Sequence, residues 1–446
     1  MVDNAFSCKK AYEGREMKKD SLIIGLALFA MFFGAGNLIF PPFLGMTSGT
    51  EWPIGFACFV FIDVVLSCLG IFAINAAGGS IKAVQGALGK FAGIALNSLA
   101  IICTGFLIGT PRTAATTYEM SIIPLVGDWG QLGLAVFSVV FFGAVFLLSY
   151  KESRIVGVIG KILTPVLVAG IVIVVVAGIV NPIGPIGAPV SEHVAQDGIL
   201  SGYQAMDIIS IVGFAIVMQD AIRNHGYTEK RDQHRMMAYS SCVAGVMLAL
   251  LYGGLTYLGA TAGSTLGAGL NQASLIVAIT YDLMGNVGVV VLAIVVGFAC
   301  FTTAVGLVGA TSAYFERVSG GRISYHTGVI VTTLASLLIC NLGLTNIVGL
   351  AGPILSVICP PFMVTVVLLL FNRRMPNNWV YRGAALFAAV ASLIAAVHDY
   401  TGALMFIEFL PLSDYGFGWL LPAVIGGVAG GLVKSLMTRR GTALPE

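Results

Sequence analysis

The most informative segment of this sequence is Ala30-Met31-Phe32-Phe33-Gly34-Ala35-Gly36-Asn37-Leu38-Ile39-Phe40-Pro41-Pro42, which lies inside an apolar run over residues 21–45. A run of this length can cross a bilayer as a helix, which takes roughly 20 residues. Its middle, however, holds two glycines and an asparagine, and two prolines follow. Glycine weakens a helix, and proline kinks or ends it. The segment therefore predicts a broken membrane helix, whose free backbone groups must face protein or a water-filled cavity.

The composition indicates that most of the chain lies in a lipid bilayer. Of its 446 residues, 57% are hydrophobic and only 10% are charged, and the mean hydropathy is +0.94. Soluble globular proteins carry about 25% charged residues. A β-barrel would show alternating segments of ~10 residues rather than long apolar runs. The composition therefore predicts an all-α polytopic membrane protein, and the net charge of +2 gives no indication of nucleic-acid binding.

The distribution of basic residues orients the predicted membrane spans. Twelve transmembrane helices are predicted, over residues 21–45, 53–77, 90–118, 131–149, 155–180, 200–222, 236–260, 284–315, 325–341, 345–371, 380–398 and 416–437. With both termini on one side, that side carries 22 of the 23 Lys and Arg residues, and the other side has only Arg112. Basic loops stay in the cytoplasm. We therefore expect a multi-pass plasma-membrane protein with both termini cytoplasmic.

The predicted spans divide into two halves of similar spacing. Residues 21–180 hold the first five spans and residues 200–371 the next five, with a Pro- and Gly-rich outer connection over residues 181–199. Because five is odd, the second half must cross the membrane in the opposite sense, which predicts a 5+5 inverted-topology repeat. Residues 372–437 would add helices 11 and 12, and the cytoplasmic tails would be residues 1–20 and 438–446.

Span 6 is the repeat partner of span 1, and it is also predicted to be broken. It carries small or polar residues in mid-span, at Ser210 and Gly213. Interrupted helices at matching positions of two halves point to the binding site of a transporter. The alternative interpretation of Gly213 is helix packing through a small residue, which is common in membranes.

Two motifs carry a resemblance to a known family. The stretch Phe33-Gly34-Ala35-Gly36-Asn37-Leu38-Ile39-Phe40-Pro41-Pro42 and, in span 3, Thr110-Pro111-Arg112-Thr113-Ala114-Ala115-Thr116-Thr117-Tyr118-Glu119 resemble the signatures of the branched-chain amino acid:cation symporters of the BrnQ type. The resemblance covers essentially the whole chain. It implies the leucine-transporter fold and uptake of leucine, isoleucine and valine, coupled to Na⁺ or in some members to H⁺.

The chemistry of such a substrate indicates where it would bind. The carboxylate of a zwitterion suits N–H groups at a half-helix N-terminus. Its ammonium suits carbonyls at a half-helix C-terminus, and its side chain needs a dry pocket. The predicted substrate site therefore takes residues from both breaks, namely Phe32, Phe33, Gly34, Ala35, Gly36, Asn37, Ser210, Ile211, Val212, Gly213 and Phe214.

A Na⁺ site is predicted between spans 1 and 8. Ala299, Thr302 and Thr303 are similar to the Na⁺-binding stretch of the sodium symporters, and their spacing puts them on one helix face. Carbonyl and hydroxyl oxygens suit a hard cation. The predicted site adds the carbonyls of Ala30 and Phe33. The alternative is that both threonine hydroxyls bond back to carbonyls of their own helix.

Three further charged residues lie in or near the predicted spans. Asp63 is in the middle of span 2, where a carboxylate costs about 2.5–3.5 kcal/mol on insertion scales. It could carry a coupling proton, bind a cation or bond a neighbouring helix. Arg112 could form a gate salt bridge with Glu119 or Asp207, or it could anchor the structure. Asp207 is near a span end, where ordinary solvation is expected.

Other functional classes lack their signatures in this sequence. A channel would show a repeated filter motif or a short ring-forming subunit. An intramembrane enzyme would need a paired nucleophile and base, or metal ligands, and no HExxH, GxSxG or P-loop motif occurs. The prediction is therefore a secondary transporter with no catalytic residues and no obligate protein partner. Its partners would be the amino acid, the coupling ion and the lipid bilayer.

Overall fold

The computed structural model describes the backbone of residues 2–77, 81–150, 155–267, 269–371 and 378–439. Within these ranges the chain is helical, apart from turns and short loops. The α-helices are α1 (Val2–Phe32), α2 (Ala35–Ser48), α3 (Trp52–Val60), α4 (Leu66–Ala76), α5 (Ile81–Leu88), α6 (Lys90–Ile102), α7 (Gly109–Thr117), α8 (Ile123–Val126), α9 (Gly130–Tyr150), α10 (Ile155–Val180), α11 (Val194–Ala205), α12 (Asp207–Asn224), α13 (Lys230–Leu266), α14 (Gln272–Val318), α15 (Tyr325–Cys340), α16 (Leu344–Leu370), α17 (Asn378–Thr401) and α18 (Leu420–Arg439).

The helices have the length and the composition of membrane spans. Among the described residues, nine helical stretches are long and apolar enough to cross a membrane by these two criteria. Two further apolar helices, Leu167–Val180 within α10 and α15, are shorter. The predicted all-α polytopic membrane architecture is confirmed at this level.

The first predicted span is broken where its glycines occur. Helix α1 ends at Phe32 and α2 begins at Ala35, with Gly34 in an extended conformation at φ −116° and ψ −168°. Pro41 and Pro42 lie inside α2 rather than beyond its end. Because proline has no N–H, the carbonyls four residues earlier in α2 lose their helical hydrogen bonds. Span 1 therefore offers free backbone groups both at the break and one turn beyond it.

The second break lies earlier in span 6 than the sequence indicates. Helix α11 ends at Ala205, and α12 begins at Asp207, with Met206 between them in the left-handed region at φ 70°. Ser210 and Gly213, which were expected to interrupt the helix, are both helical residues of α12. A non-glycine residue rarely takes the left-handed conformation. The residue types around Met206 therefore gave no indication of this break.

Three π-helical turns interrupt spans 2 and 3. Phe61–Val65 joins α3 to α4 and contains Asp63, whereas Cys103–Leu107 and Tyr118–Ile122 flank α7, which contains Arg112. A π-helical turn shifts the helix register and is frequent at functional sites. These turns therefore set the directions of two charged side chains in the apolar core.

Helices α1 to α4 and α11 to α13 pack together, and α14 joins them to the rest of the molecule. At the α2–α13 contact, a Cβ atom at Gly45 or Gly259 would overlap a backbone carbonyl of the other helix. Small residues allow this close approach of membrane helices. Helix α14 packs on α7, α10 and α15 and also against α2. It extends the predicted span 8 back to Gln272, with a kink at Gly285 where φ is 62°.

Candidate functional site

The two breaks lie side by side, and Arg112 of α7 joins them. Its Nη1 atom donates to the carbonyl of Gln204 at 2.5 Å, and its Nη2 atom lies 3.5 Å from the carbonyl of Ala205. A Cβ atom at Gly36 would lie only 2.6 Å from Nη2. One guanidinium therefore reaches both the carboxyl end of α11 and the first turn of α2. Only glycine at position 36 leaves room for this contact.

Arg112 does not form the gate salt bridge that was one of its expected roles. In the part of the chain that the structure describes, no carboxylate lies within 4.0 Å of its guanidinium. The side chain is 4% exposed and stacks over the ring of Phe40 at 5.5 Å. Glu119, one of the acids expected to pair with it, accepts instead from Asn271 at 2.9 Å. Arg112 thus binds the carbonyl end of a half-helix, where a cation is favoured by the helix dipole.

Asn37 connects the first break to the second. Its Nδ2 atom lies 3.1 Å from the carbonyl of Phe32 and 2.8 Å from Oδ2 of Asp207, and it also contacts the hydroxyl of Tyr252. An amide has two N–H bonds, so it can donate to two of these three acceptors at a time. Asn37 therefore spans the gap between α1 and α2 and ties it to the start of α12.

Asp207 is buried, contrary to the expectation of ordinary solvation near a span end. It is the first residue of α12 and is 5% exposed. The positive end of a helix dipole favours a carboxylate there. Its carboxyl group also lies beside that of Asp63, which is 1% exposed. Asp207 is therefore enclosed by protein at the second break instead of being solvated.

Several of the residues predicted to bind substrate come together around the breaks. Phe32 and Phe214 meet edge to face with ring centroids 5.1 Å apart. Phe33 stacks against Tyr252 at 6.0 Å, and Ile211 and Val212 are buried. Ala35, Gly36 and Asn37 form the first turn of α2, which has no side-chain cap, so N–H groups of this turn are free for an anion.

Ser210 and Gly213 do not form the helix break that was expected of them, because both lie within α12. The Ser210 hydroxyl donates to the carbonyl of Met206 at 3.0 Å and so stabilises the start of α12. No atom lies within 4 Å of the position that a Cβ would take at Gly213. Open space at this position means that Gly213 is not needed for close helix packing, which was the alternative interpretation.

The residues predicted to bind Na⁺ are partly assembled. A Cβ atom at Gly34 would lie 3.8 Å from the methyl group of Thr303, so Thr303 of α14 faces the first break. Thr302 instead donates to the carbonyl of Ala299 at 3.0 Å, as the back-bonding alternative expects. Among the described residues, no group of three or more His, Cys, Asp and Glu side chains is arranged to hold a metal ion. The hydroxyl of Thr303 and the backbone carbonyls of the first break are ligand types that suit a monovalent hard cation.

Sequence reasoning missed three members of this site, namely Gln204, Ala205 and Tyr252. Two of them act through backbone carbonyls, which any residue type supplies. Tyr252 is fully buried in α13, and nothing in its local sequence separates it from a packing aromatic. The useful signal was Asp207, a carboxylate inside an apolar stretch, because charged residues in membrane spans are rare and usually face the interior of the bundle.

The sequence agrees with one protein family along nearly its whole length. The family model described as "Branched-chain amino acid transport protein" matches residues 17–437. The chain belongs to this family. Relatives include a branched-chain amino acid transport system 2 carrier protein from Pseudomonas aeruginosa, 36% identical over 415 residues, covering 91% of this chain and 94% of that protein. Another is the permease BraB from Bacillus subtilis, 33% identical over 422 residues, covering 92% and 95%.

Solved structures with the same fold are also transporters. The inward-facing conformation of Mhp1 aligns with a TM-score of 0.62 at 14% identity, covering 93% of this chain and 91% of that one. A Na⁺-coupled sialic acid symporter aligns with a TM-score of 0.61 at 14% identity, covering 92% and 89%. At such low identity the likeness concerns the fold alone. It confirms the expected likeness to leucine-transporter-type folds, and the named relatives confirm that the chain is a transporter and not an enzyme.

Proposed function

We propose that this protein imports leucine, isoleucine and valine across the plasma membrane together with Na⁺. The observation that carries the proposal is the meeting of two broken helices at Arg112, Gly36 and the carbonyls of Gln204 and Ala205. Such a junction places helix N–H groups and helix-end carbonyls close together, as a zwitterion requires. Family membership supports branched-chain amino acids as the substrate class.

In the proposed mode of binding, the substrate carboxylate faces the N–H groups of the first turn of α2, at Ala35 and Gly36. Its ammonium faces the carbonyls at the end of α11, and Arg112 must release these carbonyls when the ammonium arrives. The apolar side chain lies against the paired rings of Phe32 and Phe214. No charged side chain is then needed in span 1, which suits a substrate with no net charge.

For the coupling ion, we propose Na⁺ bound by the carbonyls of Ala30 and Phe33 and by oxygens of Ala299, Thr302 and Thr303. The contact between Gly34 and Thr303 supports this assignment, because it brings α14 to the end of α1. The ion would hold α1 and α14 together, so its binding and release would bias the relative movement of the two groups of helices. The alternative coupling ion is H⁺, carried by Asp63, which is buried in span 2.

The topology that fits this mechanism has twelve spans, a 5+5 inverted repeat and cytoplasmic termini. Spans 1, 2, 6 and 7 would rock as a unit against the remainder and give alternating access. The mutual packing of α1 to α4 with α11 to α13 supports that division. No protein partner is required by this scheme.

Uptake of labelled leucine into proteoliposomes tests the substrate and the ion together. An inward Na⁺ gradient should drive accumulation, and a pH gradient without Na⁺ should not. Accumulation in the pH gradient alone would favour the H⁺ alternative. No gradient-dependent uptake of leucine, isoleucine or valine would refute the proposal.

Substitution of a single hydroxyl tests the Na⁺ site. Thr303→Ala should raise the Na⁺ concentration for half-maximal uptake by about tenfold, which corresponds to about 1.4 kcal/mol. Thr280→Ala is the matched control, because Thr280 lies in the same helix and donates to the carbonyl of Ile276 at 2.8 Å. If both variants keep the parent dependence on Na⁺, Thr303 is not a ligand.

A further inference from the structure

The carboxyl groups of Asp63 and Asp207 lie side by side between the π-helical turn of span 2 and the start of α12. The π-helical turn packs tightly against α11, which ends just before the second break, since a Cβ atom at Gly202 of α11 would lie 2.8 Å from Ile62. In the described chain, no side chain donates a hydrogen bond to either carboxylate oxygen of Asp63. The polar groups that face Asp63 are therefore the carboxyl group and the backbone N–H of Asp207. Two carboxyl groups can form a hydrogen bond with each other only if one of them carries a proton.

The charges around the two carboxyl groups also indicate that the pair binds one proton. Arg112 of α7 interacts electrostatically with both carboxyl groups. The other groups that face the pair are the hydroxyl of Tyr252, the thiol of Cys68 and the amide of Asn37, which are neutral in their ordinary states at pH 7. With both aspartates ionised, the cluster would carry one uncompensated negative charge. One bound proton makes it neutral, as a site at membrane depth requires.

We propose that Asp63 and Asp207 bind one proton between them and that Arg112 balances the remaining carboxylate. The pair is then a proton-binding site distinct from the oxygens near Thr303. This inference concerns proton binding alone and holds whichever ion drives transport. It also explains why a basic residue of α7 reaches into the contact between spans 1 and 6.

Infrared spectroscopy of the full chain in lipid nanodiscs at neutral pH can count protonated aspartates directly. Isotope-labelled aspartate separates their bands from those of glutamate. The parent protein should show one protonated carboxyl group. Asp63→Asn and Asp207→Asn should each abolish the band, because one remaining carboxylate and Arg112 are already neutral together. Arg112→Gln should double the band. A band that persists in either aspartate variant would assign the proton to a single residue and overturn the sharing.

Thermal unfolding provides a second measurement for variants of low yield. The double variant Asp63→Asn/Asp207→Asn leaves Arg112 without a counter-charge and should melt below either single variant. Adding Arg112→Gln to the double variant should restore the melting temperature towards that of the single variants. A double variant as stable as the single variants would show that Arg112 does not need a carboxylate of this pair as its counter-charge, which contradicts the proposal. Asp128→Asn is the control, because Asp128 is exposed and caps Gly130, and it should change neither the band nor the melting temperature.

Discussion

Replacing Asn37 by alanine should remove the hydrogen bonds that link the two breaks and leave the helices around them in place. The amide lies within hydrogen-bonding distance of Phe32, Asp207 and Tyr252 and can donate to two of them at a time. Hydrogen bonds between membrane helices contribute about 0.6 kcal/mol on average and up to about 1.7 kcal/mol. Two lost bonds therefore predict a decrease of about 1–3 kcal/mol in the free energy of unfolding. Reversible unfolding in mixed detergent micelles measures this quantity.

The matched control for Asn37→Ala is Asn346→Ala in α16. Asn346 also donates to a backbone carbonyl, that of Leu342 at 2.8 Å, but it is exposed. Exposed substitutions usually change stability by less than about 0.5 kcal/mol. The reasoning is refuted if Asn37→Ala unfolds as the parent does, or if the two variants lose the same free energy. A large loss for Asn37→Ala alone would support its role as the link between the breaks.

Two further substitutions test contacts outside the breaks. Gly259→Ala should lower the unfolding free energy by about 1–3 kcal/mol through overpacking, because its methyl group would overlap the carbonyl of Pro42. Gly349→Ala is the control and should leave the unfolding free energy unchanged, because the space around Gly349 is open. Equal effects of the two substitutions in a micelle unfolding assay would contradict this prediction. Asn271→Ala should cost about 1 kcal/mol in the same assay, because Asn271 caps the first turn of α14 and also binds Glu119. An unchanged unfolding midpoint for Asn271→Ala would show that the cap contributes nothing.

The break in span 1 could be predicted from the sequence, whereas the break in span 6 could not be placed correctly. The first break is indicated by Gly34 and Gly36, because glycine weakens a helix. At the second break the left-handed residue is Met206, which has no such preference, and the conformation is imposed by the helices packed around it. Asp207 was misjudged as well, because it lies near the predicted start of span 6 and was therefore expected to be solvated.

The position of Arg112 illustrates a second limit of prediction from the sequence. Arg112 was the one basic residue predicted on the outer side of the membrane, and this exception correctly indicated that something must hold it. Its partners are carbonyls at the end of α11, and carbonyls are the same in every residue. A search for opposite charges therefore led to Glu119 and Asp207, while the backbone contact had no counterpart in the residue types.

The sequence by itself determined that this is a helical membrane protein of the branched-chain amino acid transport family, with a broken first span. Hydrophobicity, glycine and proline act locally, so these properties can be found in the order of residues. The tertiary structure decided where the second break falls, which carbonyls Arg112 binds, and that Asp63 and Asp207 lie together. These features depend on contacts between helices far apart in the chain, where close packing and the cost of unpaired buried charge select a single arrangement.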